Sequence, residues 1–298
     1  MPWYIFALAV PVLYSVTNFL DKFLIDKKLK NPMVMTAVSG IASGILGIAI
    51  GLVTGFKFIG FLQIFLIMFA GIILIFYLIP YYQAMKIEDP SRVVPLFGFI
   101  PVFTLVLSAI FLKEVLTAKQ MVGLLVVVIA GILISAKKVE GKLFSPRKSL
   151  WFMLLASLMY GSVGIIFRFA VKDASFWTLV SYEYIGTGIG GLLLLIYKPI
   201  RIGILEEKAA LKNAAGLITI NNTLSILAQM SEAFAVTLIA VPLVNIVEGV
   251  QPLIVLVEGI LITTWFPKLV KEDISRETIT QKLVSIILIF TGLYLVYF

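Results

Sequence analysis

Residues 90–134 read PSRVVPLFGFIPVFTLVLSAIFLKEVLTAKQMVGLLVVVIAGILI, two long apolar runs parted by a short polar break, KEVLTAKQ, at 113–120. Both runs are continuous, without the alternation of a barrel strand, so they predict helices. Each approaches the roughly 20 apolar residues that cross a bilayer core. The same pattern recurs along the chain and predicts ten spans, at 3–21, 33–53, 60–84, 91–112, 118–136, 150–169, 176–197, 212–236, 241–265 and 279–297. The expected fold class is an all-α membrane protein of ten transmembrane helices.

Composition agrees. The 298 residues are 61% hydrophobic and 13% charged, with mean hydropathy +1.09. Soluble domains are about 45–50% apolar and about 25% charged. The run 3–20 has no basic segment before it and no small-residue cleavage site after it, so it reads as a retained span. There is no Cys and no His, which leaves out thiolate chemistry and the commonest metal ligand and proton shuttle. No phosphate-binding GxxxxGK[ST] loop, HExxH pair or nucleic-acid motif occurs. No cofactor or metal is expected, and the partners expected are a small-molecule substrate and the lipid bilayer.

Lys and Arg fall unevenly. Of 24, 19 lie in the connections 1–2, 3–4, 5–6, 7–8 and 9–10 of the predicted spans or in the span ends that adjoin them. Those connections are expected to be cytoplasmic, with the protein in the plasma membrane. The chain also repeats. LYSVTNFLDKF (13–23) aligns with MYGSVGIIFRF (159–169), and Thr117, Gln120, Gly131 and Pro101 align with Thr278, Gln281, Gly292 and Pro252. Five spans followed by five predict two repeats of opposite orientation, 1–141 and 142–298, an architecture of secondary transporters.

Residues 90–134, with Pro punctuation, Glu114, Thr117, Gln120, Gly123 and Gly131, resemble the EamA-type repeat of the drug/metabolite transporter superfamily. The resemblance implies a central cavity between the two repeats and export or exchange of a small metabolite, with no catalytic residue. The chain departs from that pattern in four places. Tyr14-Ser15 and Tyr160-Gly161 stand where Trp-Gly is common, Lys113 stands where Gly is common, and the connection 266–278 is longer.

Polar residues inside spans are costly and mark function or helix–helix bonding. In LITINNTLSILAQMSEAF (217–234), Asn221, Ser225, Gln229 and Glu232 share one helix face. In the next span Asn245 and Glu248 share a face, Gln251 and Glu258 a neighbouring one, and Pro252 predicts a kink. Glu183, Glu232 and Glu248 come to a similar depth on the outer side if the topology holds, which suits proton coupling or a cationic substrate; the alternative is solvation in the outer interface. Tyr14 and Asn18 share a face with Asp21, which reads as an interfacial anchor beside Lys22. Tyr81 and Tyr82 fit a vestibule or an aromatic belt. Arg92 fits a partner for Asp21 or an interfacial cation. Tyr14, Asn18, Asn221, Ser225, Asn245 and Gln251 are therefore the candidate substrate-binding residues, and Glu183, Glu232 and Glu248 the candidate coupling residues. Gly123 and Gly131 are candidates for a homodimer face. The leading expectation is a secondary transporter working by alternating access and not an enzyme. The alternatives are an intramembrane enzyme or a flippase acting on a lipid-linked substrate, or a membrane protein whose polar groups only bind helices together.

Overall fold

The computed structural model describes residues 3–29, 31–111, 113, 116–139, 142–170, 175–238, 244 and 247–298. Thirteen α-helices dominate them. They are α1 Trp3–Phe23, α2 Pro32–Thr54, α3 Phe61–Phe76, α4 Leu78–Ile87, the single turn α5 Pro90–Val93, α6 Phe99–Phe111 and α7 Ala118–Ser135. Then follow α8 Lys148–Ala170, α9 Phe176–Leu194, α10 Lys198–Glu206, α11 Lys208–Leu238, α12 Gln251–Trp265 and α13 Arg276–Tyr297. A π-helical turn, Leu24–Lys28, continues α1, and a 3-10 turn, Val94–Gly98, joins α5 to α6. A small antiparallel hairpin, β1 Ala136–Val139 and β2 Lys142–Pro146, was not foreseen; Ala136 faces Pro146 across it.

Local chemistry sets the helix ends. Asn31 caps α2 by accepting from the Met33 amide at 3.0 Å, with Pro32 opening the first turn. Thr117 and Gln120 form a reciprocal capping box at α7. Ser175 caps α9. The kink expected at Pro252 appears as a turn at Gly249 and Val250, after which α12 begins.

Among the described residues, seven stretches are long and apolar enough to cross a membrane: Trp3–Lys28, Pro32–Thr54, Phe61–Ile87, Pro90–Phe111, Ala118–Ser135, Lys148–Ile166 and Arg276–Tyr297. An eighth forms if α9 and α10, bent by 90°, count together. α11 falls outside this set, and α12 is a shorter apolar helix of 15 residues. The predicted spans 176–197, 212–236 and 241–265 are thus the ones that meet the criterion only in part or not at all.

α2 packs along α9, α7 along α13, α3 along α9 and α8, α1 along α11 and α12, and α4 and α6 along α8. Glycine allows the closest approach. A Cβ on Gly44 would stand 2.6 Å from the Gly188 Cα, and one on Gly123 2.7 Å from the Gly292 carbonyl oxygen. Gly123 and Gly131 are therefore used within the chain, against α13 and the Phe99 ring. Outward-facing Ile, Leu, Phe and Val are plentiful, as lipid contact requires, while polar groups gather inside.

Candidate functional site

Asp21 lies at the centre of the inward-facing polar groups. It sits on α1, one turn before the π-helical segment, and is 6% exposed. Its carboxylate accepts from the Asn221 amide of α11 at 2.8 Å and from the Tyr81 and Tyr82 hydroxyls of α4 at 3.2 and 3.3 Å. Asn18, one turn earlier, donates to the Tyr81 hydroxyl at 2.8 Å and accepts from Gln251 of α12 at 2.9 Å. One polar node therefore ties four helices together. Ser15 extends it along α1 by donating to Glu258 of α12 at 3.0 Å.

The expectation for Asp21 is corrected here: it is no interfacial anchor. Its neighbour Lys22 has other partners, donating to the Met85 carbonyl at 2.6 Å and pairing with Asp26 at 3.1 Å. Tyr81 and Tyr82 are 2% and 3% exposed, so they form neither a belt nor an open vestibule.

A second acidic layer lies along the bundle. Glu232 of α11 interacts electrostatically with Glu183 of α9 and with Glu248. Tyr160 of α8 lies within electrostatic range of all three, and Tyr14 of α1 within range of Glu232 and Glu248. Aromatic rings join the layers: Tyr81 contacts Tyr82 at 5.2 Å, Tyr77 contacts Tyr81 at 6.4 Å, and Tyr77 contacts Tyr160 at 5.2 Å. Among the described residues, Asn221 Oδ1, Glu248 Oε1 and Glu258 Oε2 are buried without a hydrogen-bond partner.

The remaining candidates are placed as follows. Gln229 accepts from the Tyr184 hydroxyl at 2.7 Å. Ser225 is half-buried on α11, one turn after Asn221. Asn245 lies outside the described residues. Two cavities touch neither acidic layer. One, of about 170 Å³, is an apolar groove along α2 and α9 at Gly44 and Gly188. The other, of about 500 Å³, opens among Lys28, Asn31, Gly203 and Glu206.

Sequence reading missed a second polar cluster, under the connection 266–275. Glu272, 4% exposed, turns inward to Ser91 of α5 and to Lys282 of α13, whose Nζ lies at 3.0 Å. Burial pushes Glu272 above the usual carboxylate range, while Lys282 and Ser91 pull it back. Hydrogen bonds from Thr278 and Ser275 hold the exposed Asp273 down at about 2. Arg92 meets no part of Asp21. It donates to the Ile134 carbonyl at 3.1 Å, to Gln281 at 3.2 Å and to Thr278 at 3.3 Å. The signal for this cluster was Glu272 and Asp273 ten and nine residues before Lys282, in the connection that is longer than the family pattern.

These features define a multi-pass helical membrane protein with a buried, acidic polar core. The EamA-like transporter family matches over residues 1–136, and the chain belongs to that family, within the drug/metabolite transporter superfamily. An uncharacterized protein of Methanocaldococcus jannaschii is 35% identical over 137 residues, which cover 94% of that protein and 44% of this chain. A solved crystal structure of a protein superposes over 98% of this chain and 94% of its own, with TM-score 0.51 and 14% identity, a likeness of fold alone.

Proposed function

We propose that the protein is a secondary active transporter that moves a small metabolite by alternating access of two inverted five-helix halves, 1–141 and 142–298. The observation that carries this reading is the polar core itself. Asn18, Asp21 and Tyr81 from the first half meet Asn221 and Gln251 from the second inside an apolar bundle. A stripe that only bound helices together would not need a carboxylate at its centre, since each buried charge costs several kcal/mol before compensation, of order 3 or more.

The helix pairing supports the inverted halves. Exchanging the halves turns the α1–α11 contact into α8–α3, and α1–α12 into α8–α6; α2–α9 and α7–α13 map onto themselves. The Methanocaldococcus relative, about half as long as this chain, has the length of a single repeat. In this reading Glu183, Glu232 and Glu248 take and release a proton or cation. Tyr14, Asn18, Asn221, Ser225, Asn245 and Gln251 bind the solute. The Lys- and Arg-rich connections face the cytoplasm across the plasma membrane.

The test uses the absence of Cys. Ser225→Cys supplies one thiol, labelled with a small impermeant reagent in right-side-out and inside-out vesicles. Labelling from both sides, shifted by pH or by added solute, is expected. A folded protein that labels from neither side would refute the central pathway.

A further inference from the structure

We propose that Asp21 and Asn221 form a binding site for one desolvated monovalent cation, a proton or an alkali-metal ion, separate from the Glu183–Glu232–Glu248 layer. This deepens the transporter reading and rests on it for its role in coupling.

The argument begins with charge. Asp21 is 6% exposed, and its three hydrogen-bond donors, Tyr81, Tyr82 and Asn221, are all neutral. Lys22 on the same helix spends its ammonium on Met85 and Asp26, and Arg92 of α5 spends its guanidinium on α7 and α13. Tyr77, at the junction of α3 and α4, is also within electrostatic range. From α12, neutral Gln251 reaches the node through Asn18. No cationic side chain among the described residues therefore neutralises Asp21. Neutral dipoles offset only part of the cost of a bare anion in a low-dielectric interior.

The second observation is independent of that charge. Asn221 is 3% exposed; its amide nitrogen donates to Asp21, while its Oδ1 has no partner among the described residues. A buried acceptor left open costs about 1–3 kcal/mol unless a donor or cation meets it. The open oxygen belongs to the amide already held against the carboxylate. Asp21 and Asn221 thus offer hard oxygen ligands beside a single negative charge, with the Tyr81 hydroxyl held between Asn18 and Asp21. One negative charge among neutral oxygens matches a monovalent cation and not a divalent one, which gathers several carboxylates. The π-helical turn Leu24–Lys28 shifts the backbone just beyond Asp21 out of α-helical register, a distortion frequent where helices bind ligands. The node joins α1 and α4 to α11 and α12, so occupancy would bias how these helices pack.

The experiment is equilibrium binding to the purified full chain in detergent, which needs no transport. Radiolabelled sodium is titrated at fixed pH, and proton uptake is followed in weak buffer over about pH 5 to 9. Saturable sodium binding that Asp21→Asn abolishes and Asn221→Ala weakens about tenfold would establish an alkali-ion site. No sodium binding, but a proton exchanged in that range that Asp21→Asn lacks and Asn221→Ala shifts, would establish a proton site. Neither event in the unchanged protein overturns the proposal. If Asp21→Asn does not fold, Asn221→Ala decides, and unchanged binding and titration there overturn it. Two-sided labelling at Ser225→Cys with no cation event at Asp21 would sink this proposal alone and leave the transporter reading standing.

Discussion

Lys282→Met should be the most damaging single change in the cluster beneath the connection 266–275. The Lys282 Nζ and Glu272 Oε2 lie 3.0 Å apart, and each side chain is only 1% exposed. Removing the ammonium leaves Glu272 buried with Ser91 as its remaining side-chain donor. Breaking a buried pair in this way costs about 3–5 kcal/mol. Glu272→Gln should cost less, because Lys282 keeps Asp89 at 4.0 Å and the Asp273 carbonyl at 3.5 Å. Replacing both, Lys282→Met with Glu272→Leu, removes both charges at once. What remains is the loss of the two hydrogen bonds that the Glu272 carboxylate accepts from the Ser91 amide and hydroxyl, about 1 kcal/mol each, so the double change should cost less than Lys282→Met alone. The assay is equilibrium unfolding in mixed micelles, with helix content followed by circular dichroism. Coupling of about 3 kcal/mol or more is expected from a cycle that includes Glu272→Leu. Additivity to within about 0.5 kcal/mol would refute the claim that the two charges depend on one another.

Gly44→Leu should separate α2 from α9, since even a Cβ would stand 2.6 Å from the Gly188 Cα; a loss of about 1–3 kcal/mol or more is expected in the same unfolding assay. Lys113 holds a left-handed φ of 56°, so Lys113→Gly should stabilise by about 1 kcal/mol; an unchanged midpoint would count against strain there. Asp273 is depressed to about 2, so its tether to Thr278 and Ser275 is complete above the ordinary aspartate range and lost as pH falls through about 2. A carboxyl carbon NMR titration should show that low midpoint, and Thr278→Ala should move it upward.

The helical membrane fold was legible because long apolar runs have few alternatives. The region from 176 to 265 was less so, for a physical reason. Glu183, Asn221, Asn222, Gln229 and Glu232 lower the hydropathy of α9 and α11, and several of them build the polar core. The residues that give a span its work also weaken its signature as a span. Asn18, Asn221 and Gln251 were legible as partners-in-waiting because helical spacing puts them on polar faces. Asp21 was not, because an acid beside Lys22 near a span's end looks like an interfacial pair. Only their different partners separate them, Met85 and Asp26 for Lys22 and Tyr81, Tyr82 and Asn221 for Asp21.

The repeated Thr-x-x-Gln pairs carry the same lesson further. Thr117 and Gln120 serve each other as the capping box of α7, a local task. Their counterparts in the second half do something else. Thr278 donates to Asp273 at 2.6 Å and accepts from Arg92, while Gln281 donates to the Leu133 carbonyl at 2.6 Å and accepts from Arg92. The difference arises from the connection before α13, which supplies Asp273 to Thr278 and brings Glu272 to Lys282. The same spacing thus caps a helix at 117–120 and binds α5, α7 and α13 together at 278–281. The second half's lengthened connection is therefore a structural partner of α5, and changes at 272, 273 or 282 should be felt where α5 leads into α6, next to the polar core.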